Sequence, residues 1–517
     1  IEDGTPKDVA LRAAELWRAG SLSVRQTKDL VVTPDDPALT AARETTQSKH
    51  PHLFSPTKCI DAVAASVLPI DQGLQTERSL FNECLNSPQR AGLIHAFFME
   101  RAVSKIPEAQ EKPRPFSQIG VVGGGLMGSG IATACLLAGL SVVLAEQSEE
   151  ALQRGQAAVV ANLEKAVARG KLTAKRQAEI LEDAFDTTLN LGALHSADIV
   201  IEAIFEDLEA KKDVFRTLDK ICKPGAVLST NTSYLDINEI ATVTSRPCDV
   251  IGLHFFSPAH IMRLLEVVVT DHSAADTVAT GFALAKTLRK VAVRAGVCDG
   301  FIGNRILAAT RKVADYMLMD GASPTQIDDA LEAFGFAMGP YRVLDMAGLD
   351  ISWANRKRQS ETRPAKERYV AVGDRLCEMG AFGRKSGQGY YLYDGKGGLN
   401  PALTDILSAE RAVHHVKPRS FDADEIVSRY LAAMVCEATR VLEDGIALRP
   451  IDVDAVLLFG YGFPRFRGGP MHYADTIGIK EVLRRIDIYA QEDPVFWKAP
   501  DMLRQMAQDG TTFADQN

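Results

Sequence analysis

The chain holds 517 residues, 46% hydrophobic and 24% charged, with 58 Lys and Arg against 67 Asp and Glu. At about 150 residues per domain, this length gives three or four domains, and the composition is that of globular protein, which excludes extended disorder. The net charge of −9 excludes nucleic acid as the main partner, and eight scattered cysteines with no C-x-x-C pair exclude a disulfide scaffold and the usual zinc spacings.

The chain opens at Ile1 without a basic-then-apolar leader, so a piece of a longer polypeptide is expected. Residues 1–113 read as helical and carry no chemistry. Lys7–Arg18 is amphipathic, a polar stretch with Pro34, Pro37, Pro51 and Pro56 follows, and helices are predicted at Lys58–Val67 and Gln75–Ser104. Lys112-Pro113-Arg114-Pro115 marks a domain boundary.

From 114 to 295 short apolar runs alternate with helical ones. Strands are predicted at Ile119–Val122, Val142–Glu146, Ile199–Glu202, Ala226–Ser229 and Val250–Phe255, with Leu264–Val269 and Val291–Arg294 extending one edge. Helices Ala151–Arg169 and Asp207–Ile221 lie between them. Such alternation builds a doubly wound parallel sheet of the Rossmann type, so the fold class is α/β followed by all-α. Ile119 to Ala145 lacks charge for 27 residues, long enough to span a bilayer. Its seven glycines cluster where a strand should turn into a helix, so the segment is expected inside the α/β domain, with no membrane partner.

Helical periodicity dominates after 296, and a repeat emerges. Arg305-Ile306-Leu307 through Asp320-Gly321 matches Arg429-Tyr430-Leu431 through Asp444-Gly445 at an offset of 124, and Ile327-Asp328 and Gly339-Pro340 match Val453-Asp454 and Gly469-Pro470. Two copies are too few for a solenoid. Two helical domains, 296–395 and 396–517, packed on each other are the simpler arrangement.

Gly123-x-Gly125-x-x-Gly128 follows a strand and opens a small-residue helix that takes in Leu126 and Met127. The glycines permit the turn, the approach of a pyrophosphate and close helix–strand packing. Glu146 ends the next strand, 18 residues after Gly128, where a carboxylate grips a ribose 2′-hydroxyl and repels a 2′-phosphate. Together these features point to NAD. Thr230-Asn231-Thr232-Ser233 follows another strand, either as a substrate-holding loop or as the N-cap of a helix at Ile237–Ala241. His254 ends a further strand, where a base that titrates near neutrality suits removal of a hydroxyl proton. Glu266, an acid inside the apolar run Leu264–Val268, would be costly without a partner, and His254 supplies one. A structural ion pair is the bland alternative. His414-His415 reads as a solvated loop, and no metal is expected.

These motifs, with Ile201-Glu202-Ala203-Ile204-Phe205-Glu206 and Gly300-Phe301-Ile302-Gly303-Asn304-Arg305, resemble the (3S)-3-hydroxyacyl-CoA dehydrogenase family in order and spacing from about 116 to 395. The remainder is similar to the C-terminal part of multifunctional fatty-acid β-oxidation enzymes of the peroxisomal bifunctional type. Asp61–Ile106 resembles their helical linker, and the first 30 residues resemble the tail of a crotonase-type hydratase domain. The resemblance implies an acyl-CoA substrate, NAD as cofactor, and a missing hydratase domain of the same polypeptide as partner. It implies His254 as catalytic histidine, Glu266 as its carboxylate partner, and Ser233 and Asn304 as holders of the substrate hydroxyl and thioester oxygens. Glu206 and Lys211, with Ile204, would line the ribose and nicotinamide side. Glu146 stands where many members have aspartate, and Ser257, expected at the cofactor, where many have asparagine. Phe459 falls where some relatives place a substrate-contacting tyrosine and takes no role. Ser428 replaces the counterpart of Asn304 in the second repeat, which is expected to be structural. The C-terminal Asp515-Gln516-Asn517 lacks a peroxisomal address, so a cytoplasmic location is expected. Oligomeric state stays open, a monomer included.

Overall fold

A computed structural model of the chain describes residues 4–22, 28, 30–395 and 397–517. Eight strands form one sheet: β1 (Gln118–Val122), β2 (Ser141–Ala145), β3 (Phe185–Thr188), β4 (Ile199–Glu202), β5 (Val227–Thr230), β6 (Val250–Phe255), β7 (Leu264–Val268) and β8 (Val291–Ala295). Their order is β3-β2-β1-β4-β5-β6-β7-β8. The first six are parallel, β7 runs antiparallel to β6, and β8 follows β7. The winding reverses between β1 and β4, so the ligand crevice opens at their carboxyl ends. Helices cover both faces, which is why β4 to β7 are buried at every position and read as continuous apolar runs.

The uncharged segment resolves into β1, the glycine turn, the helix Leu126–Leu137 and β2. No helix among the described residues is long and apolar enough to cross a membrane. β3 was not expected from the sequence. Its Phe-Asp-Thr-Thr is a short, half-exposed edge strand with one apolar side chain, so it carries no periodicity. Glu146 lies one residue beyond β2 rather than inside it. The long helix expected at Gln75–Ser104 is two, Ile70–Leu85 and Pro88–Ala102, because Pro88 opens a new helix where its missing N–H costs nothing. The polar stretch after residue 34 holds a further helix, Asp36–Lys49, capped by Asp35. Its sequence lacks the apolar stripe that periodicity detects.

The described chain forms two compact units, residues 1–91 and 92–517. Within the second, helices Gly303–Asp320 and Ala423–Glu443, which hold the repeated sequences, pack against each other. The repeat is physical. Asp328 is buried and accepts the N–H groups of Tyr341 (2.9 Å) and Arg342 (3.2 Å), while Asp454 does the same for Met471 (2.8 Å) and His472 (3.3 Å). Gly339 and Gly469 recur because a Cβ at either would sit 2.3 Å from atoms of the aspartate. A third donor differs: the Tyr391 hydroxyl reaches Asp328 at 2.6 Å, and His95 Nε2 reaches Asp454 at 2.8 Å.

His95 stacks on His472 with centroids 4.4 Å apart. Burial and the neighbouring His95 push the His472 imidazole down to about 4. An unfolded histidine titrates near 6.5, so between about pH 4 and 6.5 the unfolded chain binds a proton that the folded chain refuses. Stability therefore falls as pH drops through that window. Calorimetric melting between pH 4.5 and 7 should show a shallower pH dependence in His472→Gln than in wild type. Identical slopes would show that His472 is charged when folded.

Candidate active site

The glycine turn is built for close backbone approach. Gly123 has φ +97°, and a Cβ there would lie 2.8 Å from the Ala203 carbonyl oxygen; a Cβ on Gly128 would lie 1.7 Å from the Gly123 oxygen. At Gly125, by contrast, a Cβ meets nothing within 4 Å. The helix Leu126–Leu137 has no side-chain cap, so its first N–H groups and positive dipole end face this open space. Glu146 reaches the turn, accepting the Gly124 N–H at 2.6 Å. An uncapped helix start, an open glycine and a carboxylate one strand away fit a dinucleotide. Leu126 (76% exposed) and Phe205 (64% exposed) offer apolar surface at its mouth, Met127 and Ile204 are half-buried, and Ser257 is exposed beyond β6. Beside the turn, a groove of about 700 Å³ is lined by Gly124, Glu146, Arg154, Lys165, Arg169 and Lys171. His260 also lines it, its imidazole held below the ordinary value by burial and by Lys165, Lys290, Arg169 and Lys171.

β6 and β7 pair antiparallel with His254 opposite Glu266. His254 Nδ1 donates to Glu266 Oε2 at 2.6 Å. Glu266 is fully buried, and its other oxygen accepts the N–H groups of Ile302 (3.2 Å) and Gly303 (3.0 Å), at the start of the helix Gly303–Asp320. The chain bends into this position through Gly300 (φ +84°) and Phe301, a non-glycine residue at φ +48°. That left-handed conformation is uncommon for a bulky side chain, and the Phe301 ring packs edge-on against His254. With Nδ1 donating, Nε2 keeps its lone pair and meets the Ser233 hydroxyl at 3.1 Å. The structure thus brings His254, Glu266 and Ser233 together at one end of the sheet.

The loop after β5 is held by Glu206, whose Oε1 accepts the Thr232 hydroxyl (2.6 Å) and the N–H groups of Ser233 (2.9 Å) and Tyr234 (3.2 Å). Asn231 Oδ1 accepts the Phe255 N–H at 2.8 Å, tying this loop to β6. The capping alternative for Thr230–Ser233 does not hold, because the helix Ile237–Thr242 is capped by Asp236. Lys211 is placed behind the loop, 1% exposed, bonded to Glu202 at 2.7 Å and near Glu206 at 3.6 Å. Glu202, buried at the end of β4, also accepts the Thr230 hydroxyl at 2.6 Å and the Ile204 N–H at 2.7 Å. The sequence carries a signal for Glu202 that its motif alone does not explain, a carboxylate closing an apolar strand.

Asn304 lies on the first turn of Gly303–Asp320 and lines, with Tyr234, a second cavity of about 530 Å³. Its Oδ1 accepts the Tyr461 hydroxyl at 3.0 Å. Tyr461 was missed, since nothing in the spacing links positions 304 and 461. Phe459 instead lies against the guanidinium groups of Arg263 (4.9 Å to the ring centroid) and Arg465 (5.6 Å). Among the described residues, no cluster of three or more His, Cys, Asp or Glu is arranged to hold a metal ion.

Residues 118–298 match the family model of the 3-hydroxyacyl-CoA dehydrogenase NAD-binding domain, and residues 300–393 and 426–514 match that of its C-terminal domain. The chain is 43% identical over 475 residues to the peroxisomal bifunctional enzyme of Cavia porcellus, covering 88% of this chain and 65% of the relative. The human peroxisomal bifunctional enzyme is 39% identical, with coverages of 89% and 67%. Among solved structures, 3-hydroxybutyryl-CoA dehydrogenase of Escherichia coli is similar with a TM-score of 0.67 and 27% identity, covering 76% of this chain and 99% of that one. The dehydrogenase part of multifunctional enzyme 1 of C. elegans gives 0.58 and 25%, with coverages of 80% and 98%.

Glu146 sets a cofactor test. The wild type should strongly prefer NAD, and Glu146→Ser should shrink the ratio of kcat/KM for NAD over NADP by at least about tenfold, or ~1.4 kcal/mol. An unchanged ratio would mean that Glu146 stays on Gly124 and never meets the ribose.

Proposed function

Because the chain belongs to the 3-hydroxyacyl-CoA dehydrogenase family, we propose that it oxidises (3S)-3-hydroxyacyl-CoA to 3-oxoacyl-CoA with His254 as general base. One observation carries this reading: Nε2, the imidazole nitrogen that Glu266 leaves free, opens toward Ser233 at the ligand end of the sheet. Nε2 takes the proton of the 3-hydroxyl, and the buried Glu266 carboxylate stabilises the imidazolium as it forms. The Ser233 hydroxyl and the Asn304 amide hold the substrate hydroxyl and thioester oxygens, fixing the reacting carbon in position. NAD, when bound, supplies the acceptor for the hydride that leaves C3. Gly123, Gly125, Leu126, Met127 and Gly128 would bed its pyrophosphate, and Glu146 would hold the ribose. Ile204, Glu206 and Ser257 would border the nicotinamide side, with Lys211 supporting Glu206 from behind.

The domain division that goes with this reading is a helical linker (1–113), the NAD-binding domain (114–295) and two helical dehydrogenase domains (296–395 and 396–517). The chain spans 65% of the length of the Cavia porcellus relative, whose name is bifunctional enzyme. We propose that in the whole protein a hydratase domain adds enoyl-CoA hydration to the same fatty-acid β-oxidation sequence. The relatives' names place them in peroxisomes or glyoxysomes. The eight cysteines are free thiols, which fits a reducing compartment, and a cytoplasmic location stays a proposal for this chain.

His254→Gln should lower kcat for NADH formation from 3-hydroxybutyryl-CoA by about 10²–10⁴ while leaving the NAD dissociation constant unchanged. Glu266→Gln should lose less kcat, since the amide oxygen still accepts from Nδ1 but brings no counter-charge. Its NH₂, turned against the Ile302 and Gly303 N–H groups, should lower the melting temperature. Turnover near wild type in His254→Gln would remove the proposed base. No NADH formation by the wild type would favour a scaffold or a dehydrogenase of small β-hydroxyacids.

A further inference from the structure

The second helical repeat lacks a counterpart of Asn304, yet it sends one side chain into the site of the first. Tyr461 caps the helix Pro450–Gly460 and crosses to the start of Gly303–Asp320. Its hydroxyl meets Asn304 Oδ1 at 3.0 Å and has no other partner among the described residues. Its ring packs edge-on against Phe256 (5.5 Å between centroids), and Phe256 in turn packs against His254 (4.6 Å). Gly303 makes room for it, since a Cβ there would lie 2.2 Å from the tyrosine ring. Burial, with Glu266 close by, holds the phenol well above its ordinary value, so it remains a proton donor at every working pH.

We infer that Tyr461 is a positioning residue for the dehydrogenase reaction: its O–H fixes the Asn304 amide with the oxygen turned to the second repeat and the NH₂ turned to the substrate cleft. An asparagine amide has two nearly isosteric ends, and only the NH₂ end can donate to a thioester carbonyl oxygen. A reversed amide would present an acceptor to the thioester oxygen and could only donate to the Tyr461 oxygen, leaving the Tyr461 O–H proton without an acceptor, which disfavours it. The second repeat therefore contributes more than packing, because it selects the donor that the first repeat offers. This inference rests on the reading of Asn304 as a substrate donor.

Tyr461→Phe keeps the ring packed on Phe256 and over Gly303 while deleting the hydroxyl. It should lower kcat with 3-hydroxybutyryl-CoA by about tenfold, the scale of one lost hydrogen bond, with melting temperature and NAD affinity unchanged. A purely structural role would move the melting temperature instead. The decisive comparison is a double-mutant cycle with Asn304→Ala. If Tyr461 acts through Asn304, adding Tyr461→Phe to Asn304→Ala should change kcat less than about twofold. A wild-type kcat in Tyr461→Phe alongside an impaired Asn304→Ala would overturn the inference alone, as would the full tenfold loss persisting in the Asn304→Ala background. Wild-type turnover in Asn304→Ala would instead remove the reading of Asn304, and the inference with it.

Discussion

The site depends on one buried carboxylate. Glu266 sits in the middle of an apolar strand with no exposure, and its two oxygens serve different domains: one holds His254 Nδ1 and the other the first amides of the helix Gly303–Asp320. A charge so buried is tolerable only when its hydrogen bonds are complete. Here the requirement couples three things: the tautomer of the imidazole, the register of β6 against β7, and the docking of the first helical repeat on the sheet. The helix dipole favours the same negative charge. Loss of the carboxylate would leave three buried N–H groups unpaired, those of His254 Nδ1, Ile302 and Gly303, at about 1–3 kcal/mol each.

A second buried carboxylate, Glu202, organises the cofactor side in the same manner. It gathers Lys211, the Thr230 hydroxyl and the Ile204 N–H at the ends of β4 and β5. Glu206, at the mouth, fastens the Thr232–Tyr234 loop. The two acids set the height of that loop, and with it the position of Ser233 opposite His254. Two further buried acids, Asp328 and Asp454, pin the corresponding helix starts of the two repeats. Carboxylates that accept helix-start or loop amides recur throughout the second unit.

What the sequence revealed follows from how local each signal is. The glycine turn, Glu146 and the strand ends carrying His254 and Ser233 were legible because strand, turn and helix signatures span a few residues. Glu266 was legible through its cost, an acid where only apolar residues belong. The repeat was visible because Asp328 and Gly339 must recur together with Asp454 and Gly469 for steric reasons. β3 was not legible, being short, polar and at an edge. Nor was the enclosure of Lys211, which depends on how Glu202 and Glu206 fold over it. Tyr461 lies 157 residues from Asn304, and only the packing of one repeat on the other brings them together.

The central claim is that Glu266 fixes His254 in the tautomer protonated on Nδ1, leaving Nε2 as the base. Nitrogen-15 NMR of imidazole-labelled protein tests it directly, with the His254 resonances assigned by their loss in His254→Gln. At neutral pH the account predicts a proton-bearing Nδ1 with a strongly deshielded, hydrogen-bonded proton, together with an unprotonated Nε2. A proton on Nε2 and a bare Nδ1 would contradict it, because that imidazole could neither donate to Glu266 nor accept from the substrate.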